Sequence, residues 1–255
     1  MRRLYLIWTM DELTSRRLNA INRAFYALTA IDFDESRGRP WPGWRRVLAY
    51  LTHLPAPLRV LDVGCGNGRF GRFLARNLPA PPRYHGIDSA PVLLESARAA
   101  FARMGILPDA ILEARDIVES PPDAGTYDLV AAFGVLHHVP GAASRLTLVR
   151  ALAERVAPGG ILTFTGWCFW EYARFRGRAV AWPADLAREP GDHLLDWRRG
   201  HAAHTALRYC HYIDDDEHAA LIEASGLFAV ETFRADGHTG DINRYAVLRR
   251  PALGR

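Results

Sequence analysis

Val60-Leu61-Asp62-Val63-Gly64-Cys65-Gly66-Asn67-Gly68 joins a short apolar run, one acidic side chain and three closely spaced glycines. Without Cβ atoms, glycines let the backbone turn sharply and lie against a ligand, and a helix opening behind them offers free N–H groups. A nucleotide-like cofactor fits such a loop. Gly66, Gly68 and Gly71 also match the G-x-G-x-x-G spacing of dinucleotide sites. In that fingerprint the first glycine directly follows the strand, whereas here the register starts late and leaves Asp62 and Gly64 unused. A nicotinamide oxidoreductase is therefore disfavoured, and Asp62 suits a cofactor with a positively charged amino-acid end.

Two more acids follow at regular intervals. Asp88, in Gly86-Ile87-Asp88-Ser89, stands where a carboxylate can accept both hydroxyls of a ribose, and Asp116, in Ala114-Arg115-Asp116-Ile117, where it could reach an adenine amino group. Any one of these is ordinarily a helix cap or a loop residue. At successive strand ends beside the glycine loop, the three together point to a cofactor. Gly134-Val135-Leu136-His137-His138-Val139-Pro140 adds two adjacent imidazoles, which must point different ways, so one of the pair is expected to be functional.

The elements that must carry these residues are legible from periodicity. Short apolar runs at 58–63, 84–88, 110–114, 127–133 and 160–166 alternate with helical patterns starting near Arg69, Pro91 and Ala143, the mark of a parallel sheet covered on both faces. The carboxyl ends of such strands form the binding crevice, so the loop, Asp88, Asp116 and the His pair all face it. Pro158-Gly159-Gly160 reads as a tight turn into the fifth strand. Upstream, Leu18, Ile21, Phe25 and Leu28 fall on one face of a helix over 11–29, and helical spacing resumes over 44–54. These pieces predict a lid. Residues 167–206 lose periodicity and read as an insertion over the site; 208–213 as a short strand, 214–225 as a helix, and 227–234 with 241–249 as a closing hairpin-like pair. The expected organisation is one domain: lid 1–56, core 57–166, cap 167–207 and C-terminal strands 208–255.

Every basic residue is Arg, and with Lys+Arg 32 against Asp+Glu 28 the excess is too mild to demand a polyanionic partner. Arg16-Arg17, Arg37-Arg39-Arg45-Arg46, Arg174-Arg176-Arg178 and Arg198-Arg199 are the clusters that would touch phosphates if RNA were bound. Cys65, Cys168 and Cys210 are unpaired in spacing, which suggests neither zinc nor a disulfide framework and makes the reducing cytoplasm the expected location. No apolar run approaches the ~20 residues of a spanning helix, and no signal peptide is read at the start.

The acidic residue before Gly-x-Gly-x-Gly, with Asp88, Asp116, the His-His-Val-Pro segment and Pro158-Gly159-Gly160, resembles the class I methyltransferases that use S-adenosylmethionine (SAM), over 59–166. That resemblance implies a Rossmann-like α/β fold, a seven-stranded, mostly parallel sheet with helices on both faces and a reversed last hairpin, to which this sequence adds the N-terminal helical lid and the insertion after the fifth strand. It also implies a SAM site of Tyr26, Asp62, Gly64, Cys65, Gly66, Asn67, Gly68, Asp88, Ser89, Asp116, Ile117, Gly134 and His138, with no metal.

Within that superfamily the chain is similar to the tRNA wobble-uridine carboxymethyl methyltransferases through Asn22–Tyr26, Ser36-Arg37, Trp41-Pro42, the glycine loop, Val135-Leu136-His137-His138, Arg208-Tyr209, His211-Tyr212, Asn243 and Tyr245. It departs from them at Arg244 and in the insertion. The narrower resemblance implies a tRNA partner, an activating subunit such as some relatives use, and a carboxylate acceptor that needs no general base because it is already ionised. Arg37 and Arg208 would then hold the carboxylate or a neighbouring phosphate, Trp41 and Tyr209 would stack an extruded base, and His137 would orient it, with Trp167, His211, Asn243 and Tyr245 completing the acceptor site. Two alternatives remain open from the residues: a small hydroxyl- or carboxyl-bearing acceptor with His137 or His138 as general base, and a SAM-binding partner subunit without catalysis of its own.

Overall fold

The computed structural model describes residues 10–35, 39–197 and 206–252. Helix α1 (Glu12–Glu35) opens behind Asp11, whose carboxylate accepts from the Thr14 N–H at 2.8 Å and the Thr14 hydroxyl at 2.7 Å, satisfying an N–H that the first helical turn leaves without a partner. Its buried stripe is Leu18, Asn22, Phe25 and Thr29; Leu28, expected on that face, is 72% exposed. Thr29 rather than Leu28 continues the stripe because it stands four residues after Phe25, one turn on. Helix α2 (Pro42–Leu48) starts with proline in its first turn and ends earlier than the expected 44–54, since the N–H groups of Tyr50, Leu51 and Leu54 reach back only three residues.

The core then alternates β1 (Arg59–Val63), α3 (Arg69–Asn77), β2 (Arg83–Asp88), α4 (Pro91–Met104), β3 (Ile111–Ala114), β4 (Tyr127–Ala132), α5 (Ala142–Glu154) and β5 (Val156–Trp167). After it come α6 (Ala173–Arg176), β6 (Ala179–Val180), β7 (Asp192–Trp197), β8 (Ala206–His211), α7 (Asp215–Ser225), β9 (Phe228–Ala235) and β10 (Asn243–Arg249). The main sheet has seven strands in the order β3-β2-β1-β4-β5-β10-β9, with β1 to β5 parallel and β10 antiparallel to both its neighbours. This is the Rossmann-like fold expected of the sequence.

Alternate residues of each strand enter opposite apolar layers, as the two-residue period requires. Val60, Leu129, Ala131 and Val247 pack with Trp44, Phe70 and Phe73 on one face, and Leu61, Val130, Leu162 and Leu248 pack with Leu148, Leu152 and Leu221 on the other.

Two parts differ from the expected pattern. Pro158-Gly159-Gly160 lies inside β5 rather than in a turn before it; pairing with β4 slips there, and the Gly159 N–H turns to the carbonyl of Arg250 at 3.1 Å. The 167–207 segment carries regular structure among its described residues: β6, β7 and β8 form a separate antiparallel sheet, so β8 belongs to the cap and not to the C-terminal strands. All six residues of β7, Asp-His-Leu-Leu-Asp-Trp, are buried, and buried polar residues leave no apolar alternation to read.

The cap is fastened to the core through ions and amides. Arg145 of α5, 1% exposed, donates to Glu217 of α7 at 2.6 Å, to Glu189 of the cap at 3.0 Å and to the Val139 carbonyl at 3.0 Å. His211 of β8 bridges Asp192 and Glu217, each at 2.7 Å. Asn22 of α1 accepts from the Tyr209 N–H at 2.8 Å and donates to the His138 carbonyl at 3.2 Å.

Candidate active site

The crevice opens where the sheet's carboxyl ends meet α1 and the cap, and it encloses about 470 Å³. Its floor is the loop after β1. The Gly64 and Cys65 N–H groups both donate to the Ile87 carbonyl, at 2.8 and 3.0 Å, which ties the loop to β2. Gly64 has φ +69°, and a Cβ there would lie 2.2 Å from a Val135 methyl, so the tie leaves no room for another residue. Gly66 also has positive φ, but a Cβ on it would meet nothing within 4 Å, because it faces the open crevice.

Three carboxylates surround that floor. Asp62, 2% exposed at the end of β1, accepts from the Tyr84 hydroxyl at 2.5 Å. Burial pushes its pKa up to about 7 against the pull of that hydrogen bond, with Asp88 adding to the rise. Asp88 ends β2 and accepts from the Gly66 N–H at 2.8 Å and the Ala90 N–H at 2.9 Å; burial raises its pKa too, while those N–H groups lower it. Each carboxylate oxygen has a second lone pair, so Asp88 can still take two hydroxyls. Asp116 accepts from the Val118 N–H at 3.0 Å and from the Asn19 side chain at 2.8 Å, so a residue of α1 reaches over to this third carboxylate.

The roof and far wall are aromatic and basic. Trp41 stacks on Trp44 with ring centres 5.5 Å apart, and the Arg69 guanidinium lies over both rings. His137, 5% exposed, packs between His138 and Trp167, with ring centres at 4.2 and 5.2 Å. The Arg208 guanidinium lies 4.7 Å from the Trp167 ring centre and 5.5 Å from that of Phe25.

Residues 61–162 match the family of methyltransferase domains. Trans-aconitate 2-methyltransferase of Streptomyces avermitilis is 35% identical over 134 residues, 51% of this chain and 46% of that one. A ubiquinone biosynthesis O-methyltransferase of Neisseria meningitidis is 36% identical over 109 residues, 42% of this chain and 43% of its own length. The chain thus spans less than half the length of these curated relatives. The crystal structure of magnesium protoporphyrin IX methyltransferase from Synechocystis, with S-adenosylhomocysteine (SAH) bound, superposes with a TM-score of 0.64 and 16% identity, over 91% of this chain and 99% of that one. Residues 61–162 form a methyltransferase domain.

The geometry of the methyltransferase domain fits SAM. Asp62, its pKa raised by burial, offers a counter-ion for an ammonium; Asp88 keeps acceptor capacity beside the loop; and Gly66 leaves the floor open. Of the expected cofactor residues, Tyr26, Asp62, Gly64, Cys65, Gly66, Asn67, Asp88, Ser89, Asp116, Ile117, Gly134 and His138 all line the crevice. Gly68 does not. It takes the left-handed cap position before α3, with its Cα against Phe101 and Ala97 of α4, so it serves helix packing.

His138 is a brace. Its Nδ1 donates to the Tyr209 carbonyl at 2.9 Å, which leaves Nε2 to accept from the Tyr26 hydroxyl at 2.9 Å. Both of its nitrogens are thus engaged, while His137 lines the crevice beside it.

Trp41, His137, Trp167, Arg208 and Asn243, expected to hold the acceptor, line the crevice. Tyr209, His211 and Tyr245 do not. The Tyr209 hydroxyl is turned to Asp192 at 2.7 Å, His211 lies in the ion network, and Tyr245 stacks on Phe233 with its hydroxyl on Asp236 at 2.6 Å. Strand alternation separates Tyr209 from its neighbour Arg208, which points into the crevice. Arg37 lies outside the described residues, as do Arg198 and Arg199.

Sequence reasoning missed Asn19, Arg23, Phe175, Trp197 and Asp236, all crevice residues. Asp236 has φ +72° and accepts from the Gly43 N–H, the Asn243 amide and the Tyr245 hydroxyl. The Asp-Gly pair at 236–237 is a turn signal that could have flagged it; for the others no local signal exists.

Proposed function

We propose that this protein transfers the methyl group of SAM to a small metabolite seated under the cap. The observation that carries this reading is the enclosure of the acceptor side: His137 and Trp167 face it from the core while Arg178, Trp197 and Arg208 close it from the cap. When bound, SAM supplies a methyl group on a sulfonium, open to in-line attack. Asp62 would grip its ammonium end, Asp88 the ribose hydroxyls, and Asp116 with Ile117 the adenine edge. Holding nucleophile and methyl collinear is then the main contribution of the surrounding residues. His137 would orient the acceptor and, for a hydroxyl nucleophile, take its proton.

A tRNA acceptor has less support. The curated relatives described above are named for trans-aconitate and for ubiquinone biosynthesis, and several of the basic clusters are occupied: Arg16 pairs with Glu12, Arg17 with Asp185 and Arg46 with Glu231. The activating subunit belongs to the tRNA reading and falls with it. No helix among the described residues is long and apolar enough to cross a membrane.

The test is titration calorimetry with SAH, followed by incubation of the protein with methyl-labelled SAM and either a small-metabolite extract or total tRNA. Label in a small molecule supports the reading. Absence of SAH binding, or label in tRNA alone, overturns it.

A further inference from the structure

Arg208 is 6% exposed, and its Nε meets no hydrogen-bond partner. Among the described residues no carboxylate pairs with it; only the faces of Trp167 and Phe25 attend its charge. Guanidinium stays protonated throughout the accessible pH range, so it cannot escape burial by losing its proton. A buried charge without a counter-ion is costly and persists where function needs it. The contrast with Arg145 is direct: that residue is equally buried but saturated by Glu189, Glu217 and a carbonyl.

Arg178, the residue before β6, is half-buried, lines the same crevice and likewise has no ion pair among the described residues. The register relates them: Ala179 pairs with Leu195, and Leu195 pairs with Arg208, so Arg178 directly precedes the strand next but one to that of Arg208 in the cap sheet. Asp236, which lines the same crevice, is engaged by the Gly43 N–H, the Asn243 amide and the Tyr245 hydroxyl and forms no ion pair with either arginine. The space between these cations and His137 is walled by Trp167 and Phe175.

We propose that the acceptor is a carboxylic acid with a flat, apolar body, its carboxylate seated on Arg208 with Arg178 as the second cation and its body against Trp167. The carboxylate is the anchor, and the methylated atom lies elsewhere on the molecule, toward His137. A planar bidentate fork matches a carboxylate, and the aromatic walls match an unsaturated or aromatic skeleton. An arginine fork also fits phosphate, and it is the flat aromatic walls of Trp167 and Phe175 that favour a planar carboxylic acid. This assignment rests on the methyl-transfer reading for the place of the reaction, but the anion seat on Arg208 and Arg178 stands without it.

Calorimetry on the full chain, free and saturated with SAH, tests it with benzoate and cinnamate as probes, their uncharged amides as controls and inorganic phosphate as the competing anion. The expected result is binding of at least one acid, at least tenfold weaker binding of its amide and of phosphate, and a tenfold or greater loss in R208M. R178M, a change at a half-buried position that leaves the fold intact, should lose about threefold to tenfold, and SAH affinity should stay within twofold in both variants. Amides binding as well as the acids, phosphate binding better than either, neither acid binding, or both acids unaffected in R178M and R208M overturn the proposal. Failure of SAH to bind would remove the methyl-transfer reading alone, because the acid titration on the free protein still decides the anion seat.

Discussion

The Tyr84 hydroxyl donates to the Asp62 carboxylate at 2.5 Å from beneath the glycine loop, where neither group reaches water. Tyr84 and Asp62 stand on neighbouring parallel strands, two residues out of direct register, so the sheet itself aims one at the other. The hydroxyl steadies the carboxylate without supplying a positive charge.

That arrangement makes cofactor affinity depend on pH. Asp62 titrates at about 7 in the free protein because it is buried, and a cationic ammonium needs it ionised. SAH affinity should therefore fall by up to tenfold per pH unit below about 7 and level off above it, after correction for other titrations. The sign for stability is opposite: the native state holds a proton that the unfolded state, with its carboxylate near 3.8, releases, so Asp62 makes the free protein less stable as pH rises from about 4 to about 7. Asp62→Asn should weaken SAH binding by about tenfold to a hundredfold and remove the pH dependence. Calorimetry across this range checks both.

The two loop glycines should respond differently to one methyl group. Gly64→Ala forces a left-handed φ on alanine and drives its Cβ into Val135, a loss of about 2–4 kcal/mol of stability. Gly66→Ala meets no atom and should cost about 1–2 kcal/mol for its φ alone, yet lower SAH affinity, since its methyl would point into the cofactor's space. Urea unfolding separates the first effect from the second.

Cap and core should part as the charge on His211 is lost. Burial and Arg145 push its pKa down, but the hydrogen bonds to Asp192 and Glu217 outweigh them and hold it above its ordinary value. Glu217 is held down at about 2 by the same partners, against its own burial. The His211 contribution is thus complete below about pH 6.5 and lost as pH rises through its raised value, while that of Glu217 is complete above about pH 4.5 and lost toward about 2. His211→Gln should flatten the alkaline side of the stability profile, measured by urea unfolding at about pH 5.5 and about pH 8.5. Arg145→Met, which strands Glu189 and Glu217, should cost about 3–5 kcal/mol.

The two adjacent histidines should separate by role. His137→Ala should leave SAH binding within about twofold and lower turnover about a hundredfold or more if the acceptor loses a proton in the reaction. His138→Ala removes the brace between Tyr26 and the Tyr209 carbonyl and should reduce stability by about 1–3 kcal/mol and SAH affinity with it. Thermal unfolding with and without SAH distinguishes them.

The cofactor half was legible in the chain because its signals are local. A strand's apolar run, the glycines that must follow it, and acids at the ends of successive strands lie within a few residues of the elements that aim them, and a parallel sheet has one carboxyl edge. Asp62, Asp88 and Asp116 could therefore be assigned to one crevice before any contact was known. Only the tertiary structure could decide the acceptor half. Whether Arg208 or Tyr209 faces the ligand depends on which side of β8 the cap turns inward, and that is set by Asn22 of α1, by the His211 ion network and by pairing with β7. Such partners stand up to 187 residues apart, a separation over which no periodicity carries information, and the polar residues that fasten them erase the apolar alternation that would have marked β7 as a strand.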